Sequence, residues 1–489
     1  MYIRLCLAFA LLTPLTSQTS APVAAAAAHQ YVAARQAELL EQFSALLAIP
    51  NIASDTAAIE RNAAAVAALF QSAGAQVERL TVAGAPPVVF ALFDTPGASG
   101  TITFYAHYDG QPVHPADWTV PPFQPAVHDG RIWARSAGDD KDAVFGFAVA
   151  LRALRQAGLH PRANLRFFLE GEEEAGSPHL AEYLDKYADR LRTGGWILCD
   201  GPVHQSGAMQ VSFGARGVTE VEMTVYGPNR GLHDGHYGNW APNPIAMLTN
   251  LLASMRAPDA RILIPGFYRD VRPLDQEERA AIAAMPDYDH TLEGILGLDR
   301  TEGAPRKLAE QIAAPALNIR GIQGGFVGAG AANVISTEAR ASLDFRLVPD
   351  QTPATVRAEV EQFVASQGYT IVSEPPDAAF RLIHPKIIRL QWGSGYPAAR
   401  VAMSAPLGRQ VVALERAALG GEPVVRLPIL GGSIPMYLFQ GPGQRTPVVG
   451  VHIANFDDNQ HAANENMRLD YLWKGIGVYA ALMAGLTGD

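Results

Sequence analysis

Apolar positions follow two rhythms along this chain. Short continuous runs, TITFYA (101–106), NLRFFLE (164–170) and WILCD (196–200), alternate with helical stretches such as the nearly all-apolar DAVFGFAVALRALRQAG (142–158). Runs of that length read as strands buried on both faces, and their alternation with apolar helices predicts an α/β sheet with helices on both faces. Ahead of them HQYVAARQAELLEQFSALLAIPNI spaces its apolar residues by three and four and stops at Pro50, the pattern of an amphipathic helix. From about residue 212 the rhythm becomes period two, in VTEVEMTVYG and ARASLDFRLVP, with the helical stretches PIAMLTNLLASM and TPATVRAEVEQFVASQG between and after. Half-exposed strands alternate in this way, so residues 212–380 are expected to form an α+β sandwich with one solvated sheet face. Past about 380 the buried, Gly-rich texture returns in VVRLPIL, GGSIPM and PVVGVHIAN. The expected organisation is therefore one α/β domain, 29–211 and 381–489, interrupted by the inserted segment.

Composition narrows the function classes. With 48% hydrophobic and 18% charged residues in 489, the chain can fill sizeable cores and is neither disordered nor fibrous. The net charge of −10 and the absence of any basic run exclude a nucleic-acid surface. The start, MYIRLCLAFALLTPLTSQTSAPVAAAAA, has an early Arg4, an apolar core from Leu5 to about Leu15, then small and polar residues. That layout is a secretory signal peptide, taken as residues 1–26 and cut within the Ala24 to Ala28 run. Its apolar core is too short for a membrane span. A secreted or periplasmic protein is expected. Removal of Cys6 leaves Cys199 alone, so no disulfide forms.

Polar clusters fall at the carboxyl ends of the expected core strands, where ligands sit in open α/β sheets. His107 and Asp109 follow TITFYA, Glu170 to Glu174 follow NLRFFLE, and Asp200 ends WILCD; AGDDKDA places Asp139 and Asp140 at a helix start, and NQHAANEN adds His461 and Glu465. Singly, each has a plain structural explanation: a satisfied histidine, a capped helix, a turn. Jointly they form a mixed nitrogen and oxygen set that suits Zn²⁺, with Mn²⁺ or Co²⁺ also accommodated. One aspartate bridging two ions would activate a shared water, and a further carboxylate would take its proton. The adjacent Glu173 and Glu174 can divide those tasks.

The segments AHYDGQPV, RSAGDDKDA, LEGEEEAGS, the Asp200 turn, GLHDG, ANVIST with DFRLVP, GGSIP and HAANEN occur in this order between residues about 100 and 470. Together they resemble the di-zinc metallopeptidases that include aminoacylase, glutamate carboxypeptidase, succinyl-diaminopimelate desuccinylase and carnosine dipeptidase, the last branch most closely. The resemblance implies a catalytic α/β domain with an inserted ferredoxin-like lid and dimerisation domain. It assigns His107 and Asp200 to one metal, Glu174 and His461 to the other, Asp139 to the bridge and Glu173 to the general base. Asp109 takes the part of the acid that orients His107, and a cis peptide is implied at Asp139–Asp140. His233 matches a histidine that in dimeric members reaches the partner's active site to stabilise the oxyanion. Arg346 matches a residue gripping the substrate's free carboxylate, with Asn333 and Ser433 as further substrate contacts.

The implied activity is secreted, metal-dependent hydrolysis of dipeptides or short peptides near a free carboxyl terminus, by a homodimer. An N-acyl-amino-acid deacylase would use the same machinery, and a non-catalytic descendant would have lost a ligand or the base, all of which are present. Two positions depart from the family pattern: Asp142 stands for a glycine and Asp234 for a serine. They put two extra acids near a site expected to receive carboxylates.

Overall fold

The apolar runs form the middle of an eight-stranded sheet in the computed structural model, which describes residues 20–98, 100–441 and 446–488. In spatial order its strands are Gln76–Leu80, Val88–Phe93, Asn164–Glu170, Thr101–His107, Gly195–Leu198, Val448–His452, Gln210–Ser212 and Val425–Leu427. The third to sixth of these run parallel, so their carboxyl ends open onto one edge. Successive side chains of a strand point to opposite faces. Phe104 accordingly meets Phe147 of helix Lys141–Gln156 on one face, while Tyr105 meets Phe439 of helix Met436–Phe439 on the other. The first face is covered by helices Ala21–Leu47, Lys141–Gln156, Pro406–Ala418 and Leu469–Gly485, the second by Leu180–Lys186 and Met436–Phe439.

The period-two stretches build a separate five-stranded sheet, ordered Ala316–Gln323, Glu338–Leu347, Gly217–Tyr226, Ile387–Tyr396 and Thr370–Val372. Strand Glu338–Leu347 buries Ala339, Ala341, Leu343, Phe345 and Leu347, which leaves Arg340, Ser342, Asp344 and Arg346 on the opposite face. Helices Pro244–Met255 and Pro353–Ser366 cover the apolar face, and each buried Leu or Phe there contributes about 1.5–3 kcal/mol. Both helices begin at a capped proline: Asn243 accepts from the amides of Ile245 and Ala246, and Thr352 from that of Thr355. The other face carries Arg320 paired with Glu220 and Glu222.

One boundary and one packing contact differ from the sequence expectation. Strand Ile387–Tyr396 pairs antiparallel with Gly217–Tyr226, so the inserted sheet runs on past residue 380. Its second half, Trp392 to Tyr396, is interrupted by Gly393, Ser394 and Gly395, a run with no strand signal, where the ladder to Gly217–Tyr226 shifts register before Gly395 and Tyr396 pair with Thr219 and Val218. Conversely, helix Gln276–Ala283 of the inserted segment packs back on the catalytic sheet, its Ile282 lying with Val425, Leu427 and Leu430. Most of the expected signal peptide, residues 1–19, lies outside the described residues. The rest enters helix Ala21–Leu47, whose Ala24, Ala25 and Ala28 are buried. Among the described residues no helix is long and apolar enough to cross a membrane.

Candidate metal centre

Five chain segments deliver acids and imidazoles to the carboxyl edge of the parallel strands. His107 is the last residue of its strand, and Glu173 and Glu174 lie in the short 3-10 turn Glu173–Ala175 that follows strand Asn164–Glu170. Asp200 follows Gly195–Leu198, Asp139 precedes helix Lys141–Gln156, and His461 sits in the loop after Val448–His452. Asp139 turns one oxygen to each histidine: Oδ1 lies 3.1 Å from His107 Nε2, and Oδ2 lies 3.1 Å from His461 Nε2. His461 Nε2 is also 3.2 Å from Glu174 Oε2. Donor atoms of His107, Glu173 and Asp200 lie within 4.8 Å of one another, as do those of Asp139, Glu174 and His461. These are two adjoining donor groups, with Asp139 in contact with both.

Surrounding residues fix these side chains. Asp109 stands 3.3 Å from His107 Nδ1, which leaves Nε2 facing the cluster, and its two oxygens accept from the amides of Glu173 and Glu174 at 3.0 Å each. One carboxylate thus orients a histidine and the acidic turn together. Gln111 donates to Glu174 Oε2 at 2.7 Å, and Asp140 accepts from the His107 amide. The Asp139–Asp140 peptide is cis. Glu465 holds the approach to Asp139, accepting from Arg135 at 2.6 Å and from the amides of Ser136 and Gly138 at 3.0 and 3.1 Å. Lys141, in the same acidic motif, points away from the cluster: its buried ammonium donates to the carbonyls of Leu46 and Ile49.

The electrostatics call for cations. Burial, then the charge of Asp139, pushes Asp200 up to about 7, and burial followed by Asp200 raises Glu173. Glu174 is raised by burial and Asp139. Burial alone would raise Asp139 too, but hydrogen bonds from His107 and His461 hold it well below the usual carboxylate range. His461 is pushed up to about 11 by Asp139 and Glu174. Four carboxylates this close, mostly buried, lack enough positive charge among themselves, and among the described residues no lysine or arginine pairs with any of them. Divalent ions satisfy that deficit, and the nitrogen and oxygen donors fit a transition metal.

Residues 103–485 match the model of peptidase family M20/M25/M40. The chain belongs to this peptidase family. It is 26% identical over 480 residues to the Cys-Gly metallodipeptidase dug1 of Schizosaccharomyces pombe, covering 94% of this chain and 98% of that protein. It is 29% identical over 414 residues to human Beta-Ala-His dipeptidase, covering 81% and 76% respectively. Among solved structures, the metallo-carboxypeptidase Sso-CP2 of Sulfolobus solfataricus superposes with a TM-score of 0.77 at 26% identity, covering 92% of this chain and 99% of that one. Human carnosine dipeptidase 1 shares the fold, with a TM-score of 0.76 at 24% identity and coverage of 95% and 100%. As an M20 peptidase the chain is a metal-dependent hydrolase, and its two adjoining donor groups are the candidate dinuclear site.

The inserted domain brings some of its expected residues to this M20 site and leaves others away. Arg346 donates through Nη1 to Ser433 at 2.7 Å and through Nε to Asp344 at 3.0 Å. Ser433 lines the cavity that reaches Asp139, Glu173, Asp200 and His461. His233 and Asn333 lie together elsewhere, where strand Leu232–His233 pairs with Val334–Ile335 and the Asp234 amide donates to the Asn333 carbonyl. Among the described residues no hydrogen bond or ion pair joins either to the metal cluster. Neither extra acid enters the cavity: Asp142 is buried in its helix, and Asp234 is an exposed residue at the start of the short helix Asp234–Tyr237. Three residues escaped the sequence reading. Arg216 donates to the Gly431 carbonyl at 3.2 Å, and burial with the Arg346 charge lowers it to about 10. Tyr396 donates to the Ser433 carbonyl at 2.6 Å, and Asp344 braces Arg346. Arg216 and Tyr396 are single residues without a spacing partner; Asp344 was visible only as the same-face neighbour of Arg346.

Proposed function

We propose that this M20 peptidase hydrolyses dipeptides or short peptides bearing a free C-terminal carboxylate. The observation that carries the reading is Arg346 bonded to Ser433 at the edge of the cavity containing the metal-binding side chains. A guanidinium there, with Arg216 behind it, suits a terminal carboxylate. Two Zn²⁺ ions, or Mn²⁺ or Co²⁺, held by His107, Asp139, Glu174, Asp200 and His461 would supply Lewis acidity and lower the pKa of a water. Glu173, raised by burial and Asp200, would accept that water's proton and pass it to the leaving amine. Asp109 keeps His107 and the Glu173 backbone in register during that transfer.

His233 completes the reading from a second copy. It is half exposed, away from its own metal cluster, on a domain that also exposes Trp240, Ile322, Phe326 and Val327. Large exposed apolar side chains suit an interaction surface, and a homodimer through the inserted domain would cover them while carrying His233 to the partner's scissile carbonyl. The signal-like start supports export, secreted or periplasmic; protein from the native host beginning at Met1 would contradict that.

A panel of dipeptides, carboxyl-amidated dipeptides, N-blocked dipeptides and N-acyl amino acids tests the activity. Free dipeptides should be cleaved and amidated ones poorly, with chelation abolishing turnover and Zn²⁺, Mn²⁺ or Co²⁺ restoring it. Turnover of N-acyl amino acids alone would make the protein a deacylase.

A further inference from the structure

The cavity at the metal face continues into a wall that the chemistry above leaves unused. Its volume is about 380 Å³, the scale of a small-ligand site. Beyond the metal-binding side chains it is lined by Ile282, Met285 and Ile312 of the inserted segment together with Leu427 and Leu430 of the catalytic domain. Helix Gln276–Ala283 of this wall is anchored outside the five-stranded sheet. Glu278 is paired with Arg400 at 2.9 Å with both side chains buried, and Glu277 with Arg426 at 3.0 Å. Ile282 and Met285 share an apolar cluster with Leu427 and Leu430. Ile312 overhangs the turn that carries Ser433: a Cβ on Gly431 would come within 3.3 Å of its Cδ1.

Resting on the dipeptide reading, the substrate has its carboxylate at Arg346 and Ser433 and its scissile carbonyl at the metal cluster. Only its amino-side residue remains to fill the apolar part of the cavity. Lys307 and Asp289 also line the space, but with opposite charges they give no net preference for a charged side chain. We infer that this wall is the specificity pocket for the amino-side residue and selects an aliphatic side chain of leucine or methionine size. Gly, β-Ala, Glu and Lys are disfavoured there. Met285, unbranched and polarisable, lets the pocket adapt to either shape.

The test ranks kcat/KM of the zinc-loaded protein for Leu-Gly, Met-Gly, Gly-Gly, Glu-Gly, Lys-Gly and β-Ala-His. Because one buried methylene is worth about 10- to 200-fold in discrimination, Leu-Gly and Met-Gly should exceed Gly-Gly by at least about tenfold. Calorimetric binding to the Glu173→Gln protein should show the same order without turnover. Ile312→Asn, at a half-buried helix end, should shrink the Leu-Gly to Gly-Gly ratio, and Ile312→Val should keep most of it. A flat ranking, or one led by Gly-Gly, Glu-Gly or Lys-Gly, overturns the inference and leaves dipeptide hydrolysis standing. Turnover of no dipeptide overturns the dipeptide reading and the inference with it.

Discussion

At the metal face His107, Asp139 and Glu174 are each seated by partners from other segments, whereas the contacts of His233 and Asn333 among the described residues come from their own small two-stranded ladder and the turn that follows it. The first region is buried and over-determined: Asp109 alone braces a strand end and an acidic turn. The second is exposed, on a domain that also exposes Trp240, Ile322, Phe326 and Val327. Ions can complete the first region; in the proposed dimer a second polypeptide would complete the other. On the proposed function, metal binding and proton transfer would belong to one chain and oxyanion stabilisation to an assembly. Each prediction below strikes one side of that division.

The largest effect should come from the buried side. Glu173→Gln preserves shape and the Asp109 contact to the backbone while removing the proton acceptor, so it should retain metal and lose about 10²–10⁴-fold in kcat. Metal content by elemental analysis and single-turnover rates on a dipeptide check both halves. Near wild-type kcat would place the base elsewhere; loss of metal would make Glu173 a ligand, a role its place in the donor group with His107 and Asp200 permits.

The same division explains what the sequence disclosed. Thr101–His107 and Glu338–Leu347 were legible because burial on two faces or on one writes itself into consecutive residues, and the polar clusters that gather at the candidate metal centre were legible because strand ends and helix starts are marked locally, while their division into ligands came from the family resemblance. Ile387–Tyr396 and the return of Gln276–Ala283 to the catalytic sheet were not, since each is decided by a distant partner: the strand Gly217–Tyr226 in one case, Arg400 and Arg426 in the other. Arg216 and Tyr396 likewise become functional candidates only when folding gathers them around Gly431 and Ser433. Asp142 shows the converse. It reads as an extra acid at the site, yet its place in helix Lys141–Gln156 turns it into the interior.

Next in size is the exposed side. Removing one oxyanion donor typically costs about 10²–10³-fold in kcat, and His233→Ala should fall in that range with KM little changed. Mixed with inactive Glu173→Gln protein and allowed to exchange subunits, it should recover partial activity, because one of the two sites then has both residues intact. Absence of recovery in demonstrably mixed dimers would place His233 in its own chain's site or outside catalysis.

Arg346 spans the two regions and should give a smaller effect. Losing a charge-assisted contact costs about 1.5–3 kcal/mol, so Arg346→Ala should lower kcat/KM on free dipeptides by roughly 10- to 150-fold. Carboxyl-amidated analogues, already poor, should lose little more. An equal loss on both substrate types would show that Arg346 only braces Ser433.

The smallest effect separates the two domains by pH. Carboxylates on the open sheet face of the inserted domain, Glu220 and Glu222, sit in exposed pairs with Arg320, which contribute only about 0–1 kcal/mol. In the catalytic domain Glu415 of helix Pro406–Ala418 is fully buried, neither of its oxygens has a hydrogen-bond partner among the described residues, and Lys474 is the cation acting on it. Burial pushes it up to about 8. An unfolded glutamate releases its proton near 4.3, so between that pH and about 8 the folded state holds the proton that the unfolded state has lost. Stability from this group is complete below the lower value and declines as pH rises, with a slope approaching about 1.4 kcal/mol per unit, until it levels off above the folded value. Glu415→Gln keeps the shape without the titration. The difference in Tm between variant and wild type, at constant metal loading, should therefore widen in the variant's favour from pH 5 to 8. A constant difference across that range would mean that Glu415 is ionised in the folded protein and paired with Lys474.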